Sequence, residues 1–227
     1  MSDSLHDKRF PGESDEYREA RNKLLKAEIE LRDNIEKVAK LRRELPLGGK
    51  IQQDYVFQEL VNGEVSDIRL SELFDSGKNT LIIYSYMYGP KMKSPCPACT
   101  AIIDGFNGFV HHLEQRVNFA VVAKSPIRRI IDMADSRGWE GIRLLSSEKN
   151  SFNSDYFAET ADGAQMPMCD VFTKKEDGIY HFWGSELLYA PAEGHPRHMD
   201  LMWPIWNFLD LTPEGRGTDW HTKLSYD

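Results

Sequence analysis

Three short apolar runs constrain this chain more than any other feature: "NTLIIYSYM" from Asn79, "VNFAVVAKS" from Val117 and "IRLLSS" from Ile142. The first two are nearly continuous rather than alternating, the pattern of strands covered on both faces by helices. Two helical patterns lie between the runs. "CTAIIDGFNGFVHHLEQR" sets Ile102, Phe106, Phe109, Val110 and Leu113 at helical spacing, although Gly105 and Gly108 weaken its propensity. "PIRRIIDMADSRG" opens with Pro126 at its first turn and closes with Gly138. The order strand, helix, strand, helix, strand implies a parallel, right-handed α/β arrangement.

Flanking segments extend this unit. "DYVFQELVNGEVSDIRLSELF" reads as a hairpin turning at Asn62-Gly63 and running into a short helix at Leu70 to Phe74. "MPMCDVFTKKEDGIYHFWGSE" reads as two strands joined by "KKEDG", so the sheet is expected to be mixed. Near the C-terminus a Trp- and Leu-rich helix begins around Pro204 and ends before Pro213.

The N-terminal part is different in kind. Residues 1–13 are polar and aperiodic, the composition of a flexible tail. From Ser14, a plausible N-cap, to Leu45 the chain has neither Gly nor Pro, and one long helix is expected over 14–45. Tyr17, Leu24, Leu31, Val38 and Leu45 fall at one heptad position and Ala20, Ala27 and Leu41 at another, with Asn34 interrupting the second set. So narrow a seam suits either a homodimer formed through this helix or a helix lying across its own domain. "PLGG" ends the helix, and residues 46–227 are expected to form the main domain.

Charge and hydropathy exclude several function classes. The formal net charge of -8, without clustered Lys and Arg, argues against a nucleic-acid partner. No apolar run approaches the length of a membrane span and the first residues lack a signal peptide's apolar core, so the expectation is a cytoplasmic protein without a membrane partner.

The chemistry rests on "SPCPACTAIIDGF", where Cys96 and Cys99 stand at Cys-x-x-Cys spacing just after a buried strand and at the start of a helix. In a reducing compartment such a pair is catalytic or metal-binding more often than a structural disulfide. At a helix N-terminus, free backbone N–H groups and the helix dipole favour the thiolate, which makes Cys96 the candidate nucleophile and Cys99 the resolving thiol one turn later. A metal site lacks further ligands at usable spacing: His111 and His112 are adjacent, Cys169 stands alone, and neither a metal nor a cofactor is expected. Two small buried hydrophobes remain the structural alternative for the pair.

Several motifs together, "RRELP", "DYVFQ", "LIIYSYMYGP", "CPACTAIIDGFNG", "NFAVVAKSP", "RGW", "FNSDYF" and "FLDLTPEGRG", resemble the DUF899 family of the thioredoxin-like superfamily, in its redoxin or peroxiredoxin-like form. The resemblance spans nearly the whole chain from about residue 15. It implies an α/β thioredoxin-like fold, a mixed central sheet flanked by helices and preceded by the long N-terminal helix. It also implies that "QMPMCDVF" holds a cis-proline facing the cysteines, which carries substrate-binding roles to Pro167 and Met166; the residues alone favour an ordinary trans proline at a strand's edge. The peroxiredoxin pattern is departed from at Lys93, where that family has threonine, and at Gly89, where it has proline. A thiol-disulfide oxidoreductase acting on a disulfide-containing protein or a small thiol is therefore the leading expectation. A thiol peroxidase acting on a peroxide, resolved by Cys99 or Cys169, is the second, and a non-catalytic dimeric binding protein the third.

Overall fold

The computed structural model describes residues 5–193 and 197–226; the first four residues of the expected tail lie outside them. The chain divides into two compact units between Pro46 and Leu47.

The first unit is dominated by helix α1, Asp15–Arg43. The Ser14 side chain accepts the Tyr17 N–H at 3.1 Å, Asp15 and Glu16 sit in the first turn, and Lys40, Arg42 and Arg43 in the last, so both ends complement the helix dipole. Residues 10–13 form a turn rather than a structureless lead-in: the Glu13 N–H donates to the Phe10 carbonyl at 3.3 Å, and the Glu13 carboxylate pairs with Arg18. Tyr17, Leu24, Leu31, Val38, Leu41 and Leu45, the residues of the heptad seam, are all exposed.

The second unit is built on a seven-stranded sheet. Its strands are β1 (Val56–Val61), β2 (Glu64–Arg69), β3 (Thr80–Tyr86), β4 (Asn118–Ala123), β5 (Leu144–Ser146), β6 (Met168–Lys175) and β7 (Gly178–Gly184), in the order β2-β1-β5-β4-β3-β6-β7. The β3–β4 and β4–β5 pairs are parallel and the other pairs antiparallel, which is the expected mixed sheet. Parallel neighbours need crossovers, and helices α2 (Pro97–Leu113) and α3 (Ile127–Arg137) supply them. Gly138 closes α3 in the left-handed region at φ 68°, a conformation free of cost only without a Cβ. The Asn62-Gly63 turn is likewise left-handed at both residues, φ 52° and 83°, as a two-residue hairpin requires. At Leu70–Leu73 the short helix is a single 3₁₀ turn. A four-residue helix α4 (Phe152–Asp155), for which periodicity gave no signal, follows β5, and the Trp-rich segment forms helix α5 (Pro204–Leu209).

All six β4 residues are buried, and period-two alternation divides the core between the two sheet faces. On one face Tyr84, Tyr86, Val121 and Cys169 pack with Ile102, Ile103 and Phe106 of α2 and Ile130 of α3. On the other Ile83, Val122 and Phe172 pack with Tyr55, Phe57 and Phe152. Burying an aliphatic or aromatic side chain stabilises by about 1.5–3 kcal/mol, so each face contributes a substantial core. Among the described residues no helix is long and apolar enough to cross a membrane.

Candidate active site

The connection from β3 to α2 sets the cysteines in place. The Cys96 N–H donates to the Met87 carbonyl at 3.0 Å, which fastens the helix start to the strand exit. Cys96 is the N-cap residue of α2 with extended backbone (φ -62°, ψ 124°), and Pro97 follows where a missing N–H costs nothing. Upstream, the loop is clamped by Arg129 of α3. Its guanidinium donates to the carbonyls of Gly89 (3.4 Å), Pro90 (3.4 Å), Met92 and Lys93 (3.0 Å) while lying 4.4 Å over the Tyr88 ring. Gly89 lets the loop pack closely there: a Cβ would come within 2.9 Å of the Gln165 side chain, which would have to shift.

The two thiols are free and electrostatically unequal. Cys96 is half-buried and its thiol is lowered to about 6, chiefly because the Cys99 thiol donates to its sulfur. The backbone amides of Ala98 and Cys99 add to this without closing a full capping bond, and burial opposes it. Cys99 is buried one turn behind and pushed well above an ordinary thiol, first by that hydrogen bond and then by burial. The fully buried Tyr84 hydroxyl, otherwise without a hydrogen-bond partner, faces Cys99 and opposes the rise. A further hydrogen-bonded chain fixes the helix start: Tyr86 Oη and Thr100 Oγ1 lie 2.7 Å apart, and Thr100 Oγ1 donates to the Cys96 carbonyl at 2.9 Å. The arrangement thus favours the thiolate on the outer sulfur and the thiol on the inner one.

Both cysteines open onto a cleft of about 980 Å³. Met87, Ile102 and Pro167 line it on the sheet side, and Trp203, Trp206 and Trp220 on the side of the C-terminal segment. The tryptophans meet edge to face, Trp203–Trp206 at 5.2 Å and Trp206–Trp220 at 5.9 Å between ring centres. Arg216 anchors this wall, donating to both carboxylate oxygens of Asp210 (2.8 Å each) and to Asp200 (3.0 Å to Oδ1). The cleft therefore pairs one thiol of lowered pKa with a predominantly apolar surround.

Pro167 lines this cleft together with both cysteines, but the expected cis bond is corrected: every peptide bond among the described residues is trans, Met166–Pro167 included. Trans is the favoured isomer even before proline, and nothing in the local sequence overrides that preference. Met166 is not part of the cleft lining; its N–H donates to the Ala158 carbonyl at 2.8 Å. Cys169 is buried on β6 opposite Tyr84, with its thiol pushed far up by burial. Lys91 and Lys93 are exposed and do not contribute to the Cys96 shift. The His111 and His112 rings lie tilted against each other, 3.8 Å between centres, in the last turn of α2 and at the opposite end of the helix from the cysteines. Among the described residues no group of three or more His, Cys, Asp or Glu could hold a metal ion. Arg129 and the tryptophan wall escaped sequence reasoning, because neither carries a local spacing signal.

A mixed sheet of this order, with helix α2 opening at the Cys-x-x-Cys pair directly after β3, is a thioredoxin-like fold. The family described as "Bacterial protein of unknown function (DUF899)" matches residues 8–226, and the chain belongs to it. No curated protein matches the sequence. Similar solved structures include the peroxidoxin BcpB from Mycobacterium tuberculosis, at 15% identity and a TM-score of 0.46 over 71% of this chain and 96% of that one. Peroxiredoxin Q from Xanthomonas campestris matches at 13% identity and a TM-score of 0.46, over 71% of this chain and 96% of its own. The mitochondrial 2-Cys peroxiredoxin from Plasmodium falciparum matches at 14% identity and a TM-score of 0.46, over 73% and 95%.

Proposed function

We propose that this protein is a thiol-disulfide oxidoreductase. The Cys96 thiolate attacks a substrate disulfide, forming a mixed disulfide and expelling one substrate sulfur as thiolate. Cys99, losing its proton, then attacks the Cys96 sulfur and expels the second. The substrate gains two electrons, the protein is left with a Cys96–Cys99 disulfide, and a dithiol reductant restores it. The observation that carries this reading is the asymmetry of the pair: a half-buried sulfur lowered to about 6 with a buried, raised thiol one turn behind it. Pro167 would border the substrate chain in the cleft.

A redox titration against glutathione tests this, with thiol alkylation and mass spectrometry as readout. The expected result is a single two-electron transition assigned to Cys96–Cys99, and a mixed disulfide that accumulates in Cys99→Ser. Absence of any transition defeats the reading. Consumption of a peroxide that Cys96→Ser abolishes, without disulfide exchange, would favour the peroxidase instead, with Cys96 oxidised to sulfenic acid. Cys99 would then be the resolving thiol, since it lies one turn behind Cys96 and its thiol donates to that sulfur, whereas Cys169 stands on β6.

For the first unit we propose homodimerisation along α1, supported by the exposed Leu24, Leu31, Val38 and Leu41. Light scattering of the intact protein should report a dimer that Leu31→Lys turns into a monomer.

A further inference from the structure

The sheet face opposite the cysteines carries a second cavity, of about 530 Å³, bordered by β6, β7 and residues near 50 and 156. Asp170 of β6 lines it with a side chain only 2% exposed. Its Oδ1 bonds His181 Nε2 at 3.0 Å, whereas Oδ2 is buried without any hydrogen-bond partner. A buried carboxylate oxygen with no donor is costly, and in native structures it needs an explanation. Space for the pair is kept by Gly184, where a Cβ would stand 3.2 Å from Asp170 Oδ1 and 3.4 Å from the His181 ring.

The surround is aromatic and acidic. Tyr156 stacks on the His181 ring with centres 5.4 Å apart. Tyr55 donates from its hydroxyl to Asp155 at 2.8 Å, leaving its ring at the cavity. Phe157 lies at the border, 63% exposed and held in the left-handed region at φ 58°, an uncommon state for a bulky residue. Its carbonyl is fastened by the Tyr189 hydroxyl at 2.8 Å. Asp155, Asp170 and Glu186 supply carboxylates, and the one lysine of the lining, Lys50, is engaged by the Asp177 carbonyl. Metal ions are not served, since the described residues form no ligand group of three or more.

Aromatic faces and carboxylates both select a cation, and the orphaned Oδ2 selects a cation that carries N–H donors. We propose that this cavity binds a small organic primary amine, its ammonium group donating to Asp170 and its apolar body lying against Tyr55, Tyr156 and Phe157. The site is independent of the thiol chemistry and survives if that reading fails.

Benzylammonium chloride serves as the probe, titrated into the full chain by calorimetry and by NMR of the His181 ring, with benzyl alcohol as the uncharged analogue. Saturable binding with a shift of the His181 resonances is expected, the alcohol binding about tenfold more weakly or not at all, and Asp170→Asn weakening the amine by about tenfold or more. If Asp170→Asn does not fold, the exposed-rim variants Glu186→Gln and Phe157→Ala take its place and should each weaken binding about threefold. Equal affinity for amine and alcohol, no saturable binding, an unmoved His181, or unchanged affinity in the variants overturns the proposal.

Discussion

Strand β6 carries two neighbouring residues into opposite worlds. Pro167 and Cys169 belong to the face with α2 and the thiol cleft, Met168 and Asp170 to the face with the second cavity. Each face holds an acidic group, half-buried Cys96 on one and buried Asp170 on the other, and the two are driven in opposite directions. Cys96 is lowered chiefly because the Cys99 thiol donates to its sulfur, with the nearby Ala98 and Cys99 amides adding to this, while Asp170 is raised because burial outweighs the single His181 contact. Burial alone favours the neutral form; only donors aimed at the charge reverse that. A helix N-terminus supplies such donors as a matter of backbone geometry, and a strand interior, its N–H groups spent on the ladder, does not.

The largest expected effect is on the thiol face. Cys96→Ser should reduce disulfide exchange by on the order of a thousandfold, measured with a dithiol-reduced protein and a small disulfide; retained activity would move the nucleophile elsewhere. The cores behind the two faces should be equal in weight. Phe106→Ala on the thiol side and Phe152→Ala on the other should each cost about 3–5 kcal/mol in urea unfolding, and a much smaller loss on one side would show that face to be a thin cover.

Protonation provides a sharper contrast. Alkylation of Cys96 by iodoacetamide should be half-maximal near pH 6 and fall roughly tenfold per pH unit below it, since the thiolate is the reactive form. Cys99→Ala should move that midpoint upward, because it removes the largest donor to the Cys96 sulfur. Lys93→Ala should leave it in place, and a rise there would reassign the shift to long-range charge. The smallest effect is expected from Tyr84→Phe: losing the hydroxyl that faces Cys99 should slow release of the mixed disulfide by about fivefold, read in a stopped-flow trace, with formation unaffected.

Much of this was legible in the residues. The apolar runs became β3, β4 and β5, Asn62-Gly63 became a two-residue turn, and Gly138 a left-handed helix end, because each depends on interactions within a few residues. The cysteine pair was legible for the same reason: N-cap and first turn are adjacent in sequence. Arg129 was not, since it reaches carbonyls more than thirty-five residues upstream. The resemblance to better-known redox proteins raised an expectation of a cis bond at Pro167 that the backbone does not adopt.

By itself the sequence determined the alternation of strands and helices, the long capped helix α1, and a thiol seated where backbone amides favour its charge. These follow from local periodicity and from the unspent N–H groups at a helix start. Tertiary structure alone decided what the thiol faces and what Asp170 lacks. The tryptophan wall comes from residues about a hundred positions downstream of Cys96, and the buried carboxylate comes to share a cavity with Tyr55 and Tyr156 only after the sheet has closed its order. Side-chain alternation along β6 places Cys169 and Asp170 on different faces, but strand pairing determines what covers each face.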